Sequence, residues 1–271
     1  MGQSQAGKII SSAYLFDNAA EQAGARLQAL SEIFDPGTIR HLTERGVDRG
    51  WHCLDVGGGN GSIAAWLSER VGRSGRVLVT DIDPRFLEAD LPNVEVRRHN
   101  IVTDALPDAA FDLVHCRLVL LHLPQREQVL ARLIAALKPG GWLVDEEFDS
   151  ASLQADPQVN PVEVVSKTHR AMLRVVEDRG VERHFGRLLP GFLRTHGLVD
   201  VAAEGHLFMW QAGSPGTSLM RANYEQLREE MISAGHITEE EFEKDLSRME
   251  RADFLTLSPI MWTVCGRRPF S

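Results

Sequence analysis

The chain has 271 residues, of which 43% are hydrophobic and 25% charged, and its net charge is −9. This length gives one large domain or two small ones, and this composition excludes disordered, collagenous and disulfide-scaffold classes. The acidic balance hides no basic region, which argues against nucleic acid or an anionic membrane as the main partner.

In chain order, Asp17 is placed to cap a helix carrying Ala20, Ala23, Leu27, Leu30 and Phe34 at intervals of three and four residues. Asp35-Pro36 opens a second helix that stops at Gly46. These helices are too short of apolar surface to hold a core of their own and must pack on the rest of the chain. From Trp51 short apolar strands, predicted at 52–56, 76–80, 94–98, 113–116 and 142–146, alternate with helices at 63–71, just after Pro84, and at 127–137. The alternation predicts a parallel sheet covered on both faces. Helices at 161–179 and 189–195 come next, then a strand at 199–210 and a last strand at 260–266. Two helices, at 218–234 and 238–249, are inserted between those strands, the second opening with the capping box Thr238-x-x-Glu241. The chain thus reads as one domain, 51–271, with a helical insertion at about 213–258 and a helical lid segment at 1–50.

Cys53, Cys116 and Cys265 are far apart, each in an apolar run, as expected of buried reduced thiols. No signal-peptide pattern is seen, and no apolar run reaches the roughly 18 residues that span a bilayer. The expectation is a cytoplasmic protein with no membrane contact, monomeric or homodimeric.

The strongest local signal is Leu54-Asp55-Val56-Gly57-Gly58-Gly59-Asn60-Gly61, a strand entering a glycine turn and then a helix, where backbone can approach a ligand that Cβ atoms would block. The dinucleotide spacing G-x-G-x-x-G fails at Ser62, which disfavours a nicotinamide oxidoreductase. A second strand ends at Asp81, about 20 residues on, where a carboxylate can accept both hydrogens of a ribose diol. Asp83, directly before Pro84, suits a helix cap better. A glycine turn and an acid at this separation form a nucleoside-binding constellation.

With Phe111-Asp112-Leu113-Val114 opening a fourth strand and Leu137-Lys138-Pro139-Gly140-Gly141 opening a fifth, the sequence resembles the class I S-adenosylmethionine-dependent methyltransferases. The resemblance implies a doubly wound, mostly parallel seven-stranded α/β sheet, with S-adenosylmethionine as cofactor and a small organic molecule as methyl acceptor. It places Gly57, Gly59, Asn60 and Gly61 along the methionine part, with Asp55 helping to orient its ammonium directly or through water. It puts Asp81 on the ribose, Ile82 against adenine, Asn100 and Ile101 where the family usually has an adenine-binding acid, and Arg117 beside the methionine portion, with a surface arginine pairing with nearby acids as the other reading of Arg117. Tyr14 is placed to close over the cofactor.

Methyl transfer from a sulfonium needs in-line positioning rather than a metal, and no histidine or cysteine cluster calls for one. A general base matters only for a protonated acceptor; His122, past the fourth strand, and Glu147, past the fifth, are the candidates, with loop fixing as the other reading of His122. His169, His184, His196 and His206 are left as structural. Phe208, Trp210, Phe254 and Trp262 are assigned to the core, with an apolar acceptor pocket as their alternative. Rival readings are a protein or RNA methyltransferase, for which neither a basic track nor a target-amine motif is present, and a non-catalytic cofactor-binding relative.

Overall fold

The computed structural model describes residues 23–87, 90–150 and 166–270. In chain order the elements are α1 (Ala23–Glu44), β1 (His52–Val56), α2 (Ser62–Val71), β2 (Arg76–Asp81), β3 (Val94–Arg98), β4 (Phe111–Arg117), α3 (Arg126–Ala136) and β5 (Leu137–Asp149). They continue with α4 (Lys167–Asp178), α5 (Phe185–Thr195), β6 (Val199–His206), β7 (Met209–Gln211), α6 (Pro215–Ser233), α7 (Glu239–Met249), β8 (Leu255–Leu257) and β9 (Ile260–Arg267).

Seven strands pair in the order β3-β2-β1-β4-β5-β9-β6. The first five run parallel, and β9 lies antiparallel between β5 and β6. Strand order reverses between β1 and β4, the switch point at which a parallel sheet opens a crevice beyond its carboxyl ends. The central strands are buried on both faces, which explains their nearly unbroken apolar runs. Under α2 and the end of α1 lie Cys53, Val77, Leu113, Val144 and Cys265, packed on Leu42, Ile63 and Leu67. Across the sheet, Leu54, Val114 and Leu143 join Leu130, Leu133, Phe185 and Leu189 in the larger apolar cluster. All three cysteines are free and buried, as expected. Among the described residues no helix is long and apolar enough to cross a membrane.

Four expectations are revised. The two helices of the first segment are one, α1, running through Pro36; Phe34 and Thr38 on either side of the proline are both buried, and that packing overrides a penalty of about 3 kcal/mol. Asp17 and Ala20 lie outside the described residues. The strand expected at 199–210 breaks after His206, because Phe208 exchanges hydrogen bonds with Ser258, its N–H donating to Oγ at 2.9 Å and its carbonyl accepting from the Ser258 N–H at 2.8 Å. β7 then leaves the sheet to pair with β8. The helix expected at 161–179 is described from Lys167, capped by the Ser166 side chain, and 161–165 lie outside the described residues. Asp83 precedes a single 3-10 turn, Pro84–Phe86, but makes no side-chain cap; its carboxylate pairs with Arg85. The Thr238–Glu241 capping box is present, with N···O distances of 3.1 and 3.2 Å.

Gly186 brings α5 against β5. A Cβ there would meet the Glu147 carbonyl oxygen and lie 2.8 Å from Trp262 Cδ1. Gly186→Val is expected to cost about 1–3 kcal/mol by overpacking, seen as a lower melting temperature.

Candidate cofactor and acceptor site

Beyond the carboxyl ends of β1, β2 and β4 lies a cavity of about 470 Å³, within the range of small-molecule sites. One wall is the glycine turn. The N–H groups of Gly57 and Gly58 both donate to the Thr80 carbonyl, at 2.8 and 3.1 Å, which pins the turn to β2. Gly57 has φ +70°, and a Cβ there would run into the Val119 side chain. Only glycine satisfies both demands.

Asp81 stands where the turn meets β2. Its Oδ2 accepts from the Gly59 N–H at 3.2 Å and its Oδ1 from the Asp83 N–H at 2.9 Å. Burial raises its pKa, and these two backbone donors work against that rise. The carboxylate is thereby aimed before any ligand arrives. Asn60 Oδ1 accepts from Ser31 Oγ at 2.9 Å and from the Ser62 N–H at 3.3 Å, joining the turn to α1. Gly61, with φ +82°, begins α2 and is not on the cavity wall.

Ile82, Asn100 and Ile101 line the same end of the cavity. Asn100 accepts through Oδ1 from the Val102 N–H at 3.0 Å, so that oxygen, the one suited to an adenine amino group, is turned into its own loop. Arg117 lines the cavity as well, but its guanidinium is held by α1: Nη2 donates to Asp35 Oδ1 at 2.9 Å and Nη1 to Thr38 Oγ1 at 3.0 Å. The next residue, Leu118, takes φ +55°, a conformation that costs energy for a branched side chain and turns the chain sharply at the cavity wall.

Asp55 is placed differently from the expectation. It is buried and off the cavity wall, with Oδ1 2.7 Å from His115 Nδ1. His115 Nε2 is 3.5 Å from Glu146 Oε2. Glu146 accepts in turn from the Thr263 hydroxyl at 2.6 Å and from the Thr38 hydroxyl. These residues share one face of the sheet because their strands pair in register, Asp55 opposite His115 and Glu146 opposite Thr263. Burial opposes charge on His115, but the bond to Asp55 and the Glu146 carboxylate close to Nε2 prevail and raise its pKa to about 9. Burial likewise works against Glu146, yet His115, Arg117 and Thr263 bring it down to about 2. At neutral pH the core therefore holds an imidazolium between two carboxylates.

Glu147 points to the opposite face, since side chains alternate along β5. It is fully buried, absent from the cavity wall, and its Oε1 accepts from the N–H groups of Val119 and Leu120 at 3.2 and 2.7 Å. The acceptor-facing role expected of it is thus replaced by propping the loop after β4. Burial, and then the neighbouring Asp145, drive its pKa well up; burial also raises Asp145 to about 8. His122 does line the cavity. Burial first, with Arg26 and Arg126 nearby, lowers its pKa to about 3, so it is a neutral imidazole. Tyr14 lies outside the described residues.

Two groups have the spacing of metal ligands. In the first, Arg40 Nη2 occupies the point of convergence, 3.0 Å from His41 Nε2, 2.7 Å from Glu204 Oε1 and 3.1 Å from His206 Nε2. The second, Cys116, Asp145 and Glu147, consists of groups whose pKa values burial raises, so they favour keeping their protons.

The remaining walls come from helices that the motifs do not mark. α1 contributes Arg26, Leu27, Leu30 and Ser31, α4 contributes His169, Met172, Leu173 and Val176, and α6 contributes Leu219 and Asn223. Positions 169, 172, 173 and 176 follow helical spacing, so the apolar stripe of α4 is visible in the sequence, but nothing in it separates a cavity wall from a core face. Of the late aromatics, Phe208 packs edge-on to Phe34 at 5.9 Å and Trp210 is buried; neither these nor Phe254 or Trp262 line the cavity.

Residues 54–145 match the methyltransferase domain family. The methyltransferase str2 of Strobilurus tenacellus is 30% identical over 176 residues, 65% of this chain and 63% of that protein. The ubiquinone/menaquinone biosynthesis C-methyltransferase UbiE of Pseudoalteromonas translucida is 30% identical over 116 residues, 40% of this chain and 46% of its own length. The chain thus spans only about half to two thirds of these relatives. Among solved structures, phosphoethanolamine N-methyltransferase 2 of Haemonchus contortus, in complex with phosphomonomethylethanolamine and S-adenosylhomocysteine, superposes with TM-score 0.58 at 14% identity, covering 94% of this chain and 60% of that one. The YcgJ protein of Bacillus subtilis gives 0.60 at 13% identity, with 87% and 99% covered. At such identities the likeness is one of fold. Residues 54–145 are a class I S-adenosylmethionine-dependent methyltransferase domain, and the cofactor of that family is S-adenosylmethionine.

The buried imidazolium makes stability depend on pH. His115 has a folded pKa of about 9, above its ordinary 6.5, so its contribution is complete below about 6.5 and is lost as pH rises through 9. Denaturation curves between these limits are expected to show falling stability, and His115→Gln to be less stable at the lower pH and to decline less steeply, the share that the raised Asp145 and Glu147 carboxyls contribute remaining.

Proposed function

We propose that the protein is a methyltransferase that uses S-adenosylmethionine to methylate a small organic acceptor. The observation that carries this reading is the meeting, at the switch point of the sheet, of the bare glycine turn with the Asp81 carboxylate that the turn itself orients. When bound, S-adenosylmethionine supplies an electrophilic methyl group on a positively charged sulfur.

The chain's own residues do the rest. Asp81 receives the ribose hydroxyls by charge-assisted hydrogen bonds, and the glycine turn lets the backbone close on the methionine portion. Ile82 and Ile101 give the base an apolar slot. Asp55, held by His115, sets the electrostatics of β1 behind the turn and acts on a ligand through that strand rather than by touching it. The helices α1, α4 and α6 exclude water and bring the acceptor into line, the positioning on which methyl transfer depends. His122, neutral and a weak base, serves as a hydrogen-bonding group rather than a proton sink. The lid role expected of the first 50 residues falls to α1 together with α6, which packs on it. The enclosure of the cavity by these helices supports a small acceptor, as do the small-molecule pathways named for the UbiE relative.

Adding S-adenosylhomocysteine is expected to raise the melting temperature through linkage. Asp81→Ala should bind it roughly 10- to 100-fold more weakly, as befits loss of hydrogen bonds to a charged group. Calorimetric titration decides the matter: equal affinity in both proteins, or no binding by either, would sink the reading.

A further inference from the structure

Two of the polar atoms that the fold leaves without hydrogen-bond partners among the described residues lie on the cavity wall, on α4 and α6. His169 is 2% exposed and lines the cavity from α4, and its Nε2 has no hydrogen-bond partner there. Asn223 lines the cavity from α6, and its Oδ1 is buried and likewise unpartnered. Such atoms are rare in folded proteins, and each costs about 1–3 kcal/mol if nothing meets it. One contact ties the two helices where these residues sit: His169 Nδ1 lies 3.1 Å from the hydroxyl of Tyr224, the residue after Asn223.

That contact also sets the proton positions. Ser166 Oγ accepts from the His169 backbone N–H at 3.1 Å and caps the helix that carries the ring. The buried Tyr224 hydroxyl proton finds an acceptor when Tyr224 donates to His169 Nδ1. Burial first, then Arg183 and Arg170, lower the His169 pKa to about 4, so the ring is neutral and carries one proton. With Tyr224 donating to Nδ1, that proton is assigned to Nε2. From α4 and α6 the cavity therefore presents a donor, His169 Nε2–H, and an acceptor, Asn223 Oδ1.

A hydroxyl accepts one hydrogen bond while donating another, and so meets both atoms. A carboxylate would set oxygen against Asn223 Oδ1, and of the arginines on the wall Arg117 is already paired with Asp35 and Arg183 with Glu177. An ammonium has no lone pair for Nε2–H, and it would face Arg26, Arg117 and Arg183 with Asp81 the single acid on the described wall. The neighbouring surface, Leu121, Met172, Leu173, Val176 and Leu219, is apolar.

We propose that His169 and Asn223 form the acceptor-recognition subsite of this cavity, and that they receive a neutral hydroxyl on an otherwise apolar molecule. The assignment rests on reading the cavity as a methyltransferase site. His169 acts in it as a binding group, oriented by Tyr224 and Ser166.

The test uses the whole chain saturated with S-adenosylhomocysteine and three probes: 2-naphthol, 2-methoxynaphthalene, which cannot donate, and 2-naphthoate, which is anionic. Titration is expected to show 2-naphthol binding about tenfold more tightly than either of the others, the worth of a buried hydrogen bond. In His169→Phe and in Asn223→Leu that preference should fall below about twofold, with S-adenosylhomocysteine affinity unchanged. Nitrogen-15 spectra of histidine-labelled wild type should show the His169 Nε2 signal move with 2-naphthol and stay still with 2-methoxynaphthalene, a readout available even if His169→Phe does not fold. Equal binding of the three probes, tighter binding of 2-naphthoate, no binding of 2-naphthol, an unmoved signal, or a preference that survives in Asn223→Leu would each overturn the subsite. Failure of wild type to bind S-adenosylhomocysteine would instead overturn the cofactor reading beneath it.

Discussion

A cation held between two carboxylates in the middle of the sheet organises this molecule. His115 on β4 reaches Asp55 on β1 and Glu146 on β5, and Glu146 is tied in turn to Thr263 on β9 and Thr38 on α1. Buried charges are costly to leave unmatched, so removing any member strands the others. The chain of contacts therefore sets the mutual position of four neighbouring strands. It also seats α1 over the cavity, with Arg117 and Asp35 adding a second tie between β4 and the same helix.

The opposite face of β5 works by another rule. Asp145 and Glu147 are buried side by side, neither of them ion-paired among the described residues, and burial raises both pKa values. Successive residues of one strand, Asp145, Glu146 and Glu147, thus differ in charge state because alternation sends the middle one to a different environment. Glu147 spends its Oε1 on the backbone after β4, next to the strained Leu118, and so helps to hold the turn that shapes the cavity.

The cavity itself is a joint product. The sheet supplies the glycine turn and Asp81, which any nucleoside-binding crevice at a switch point needs. Helices outside the motif region supply the rest, and their lining is mainly apolar with a few polar atoms, the make-up expected where one small molecule must be told from another.

The sequence by itself determined the parallel sheet, the glycine turn, Asp81 and the capped α7, because each rests on local chemistry: short apolar runs alternating with helices, a backbone that only glycine allows, a carboxylate at a strand end, a side chain bonding three residues away. Features that depend on long-range proximity are not legible in it. Pro36 stops a helix in isolation but not when Phe34 and Thr38 are both buried, and Phe208 leaves the sheet because Ser258, fifty residues on, takes its hydrogen bonds. Asp55 reads as a ligand contact until His115 is placed beside it, and Glu147 as an acceptor group until the Val119 and Leu120 amides meet it. His169 reads as structural, since an apolar helical stripe is the same against a core or a cavity. Only the tertiary structure decides which polar atoms find partners and which are left for a ligand, because a hydrogen bond between residues far apart in the chain leaves no trace in the spacing of either.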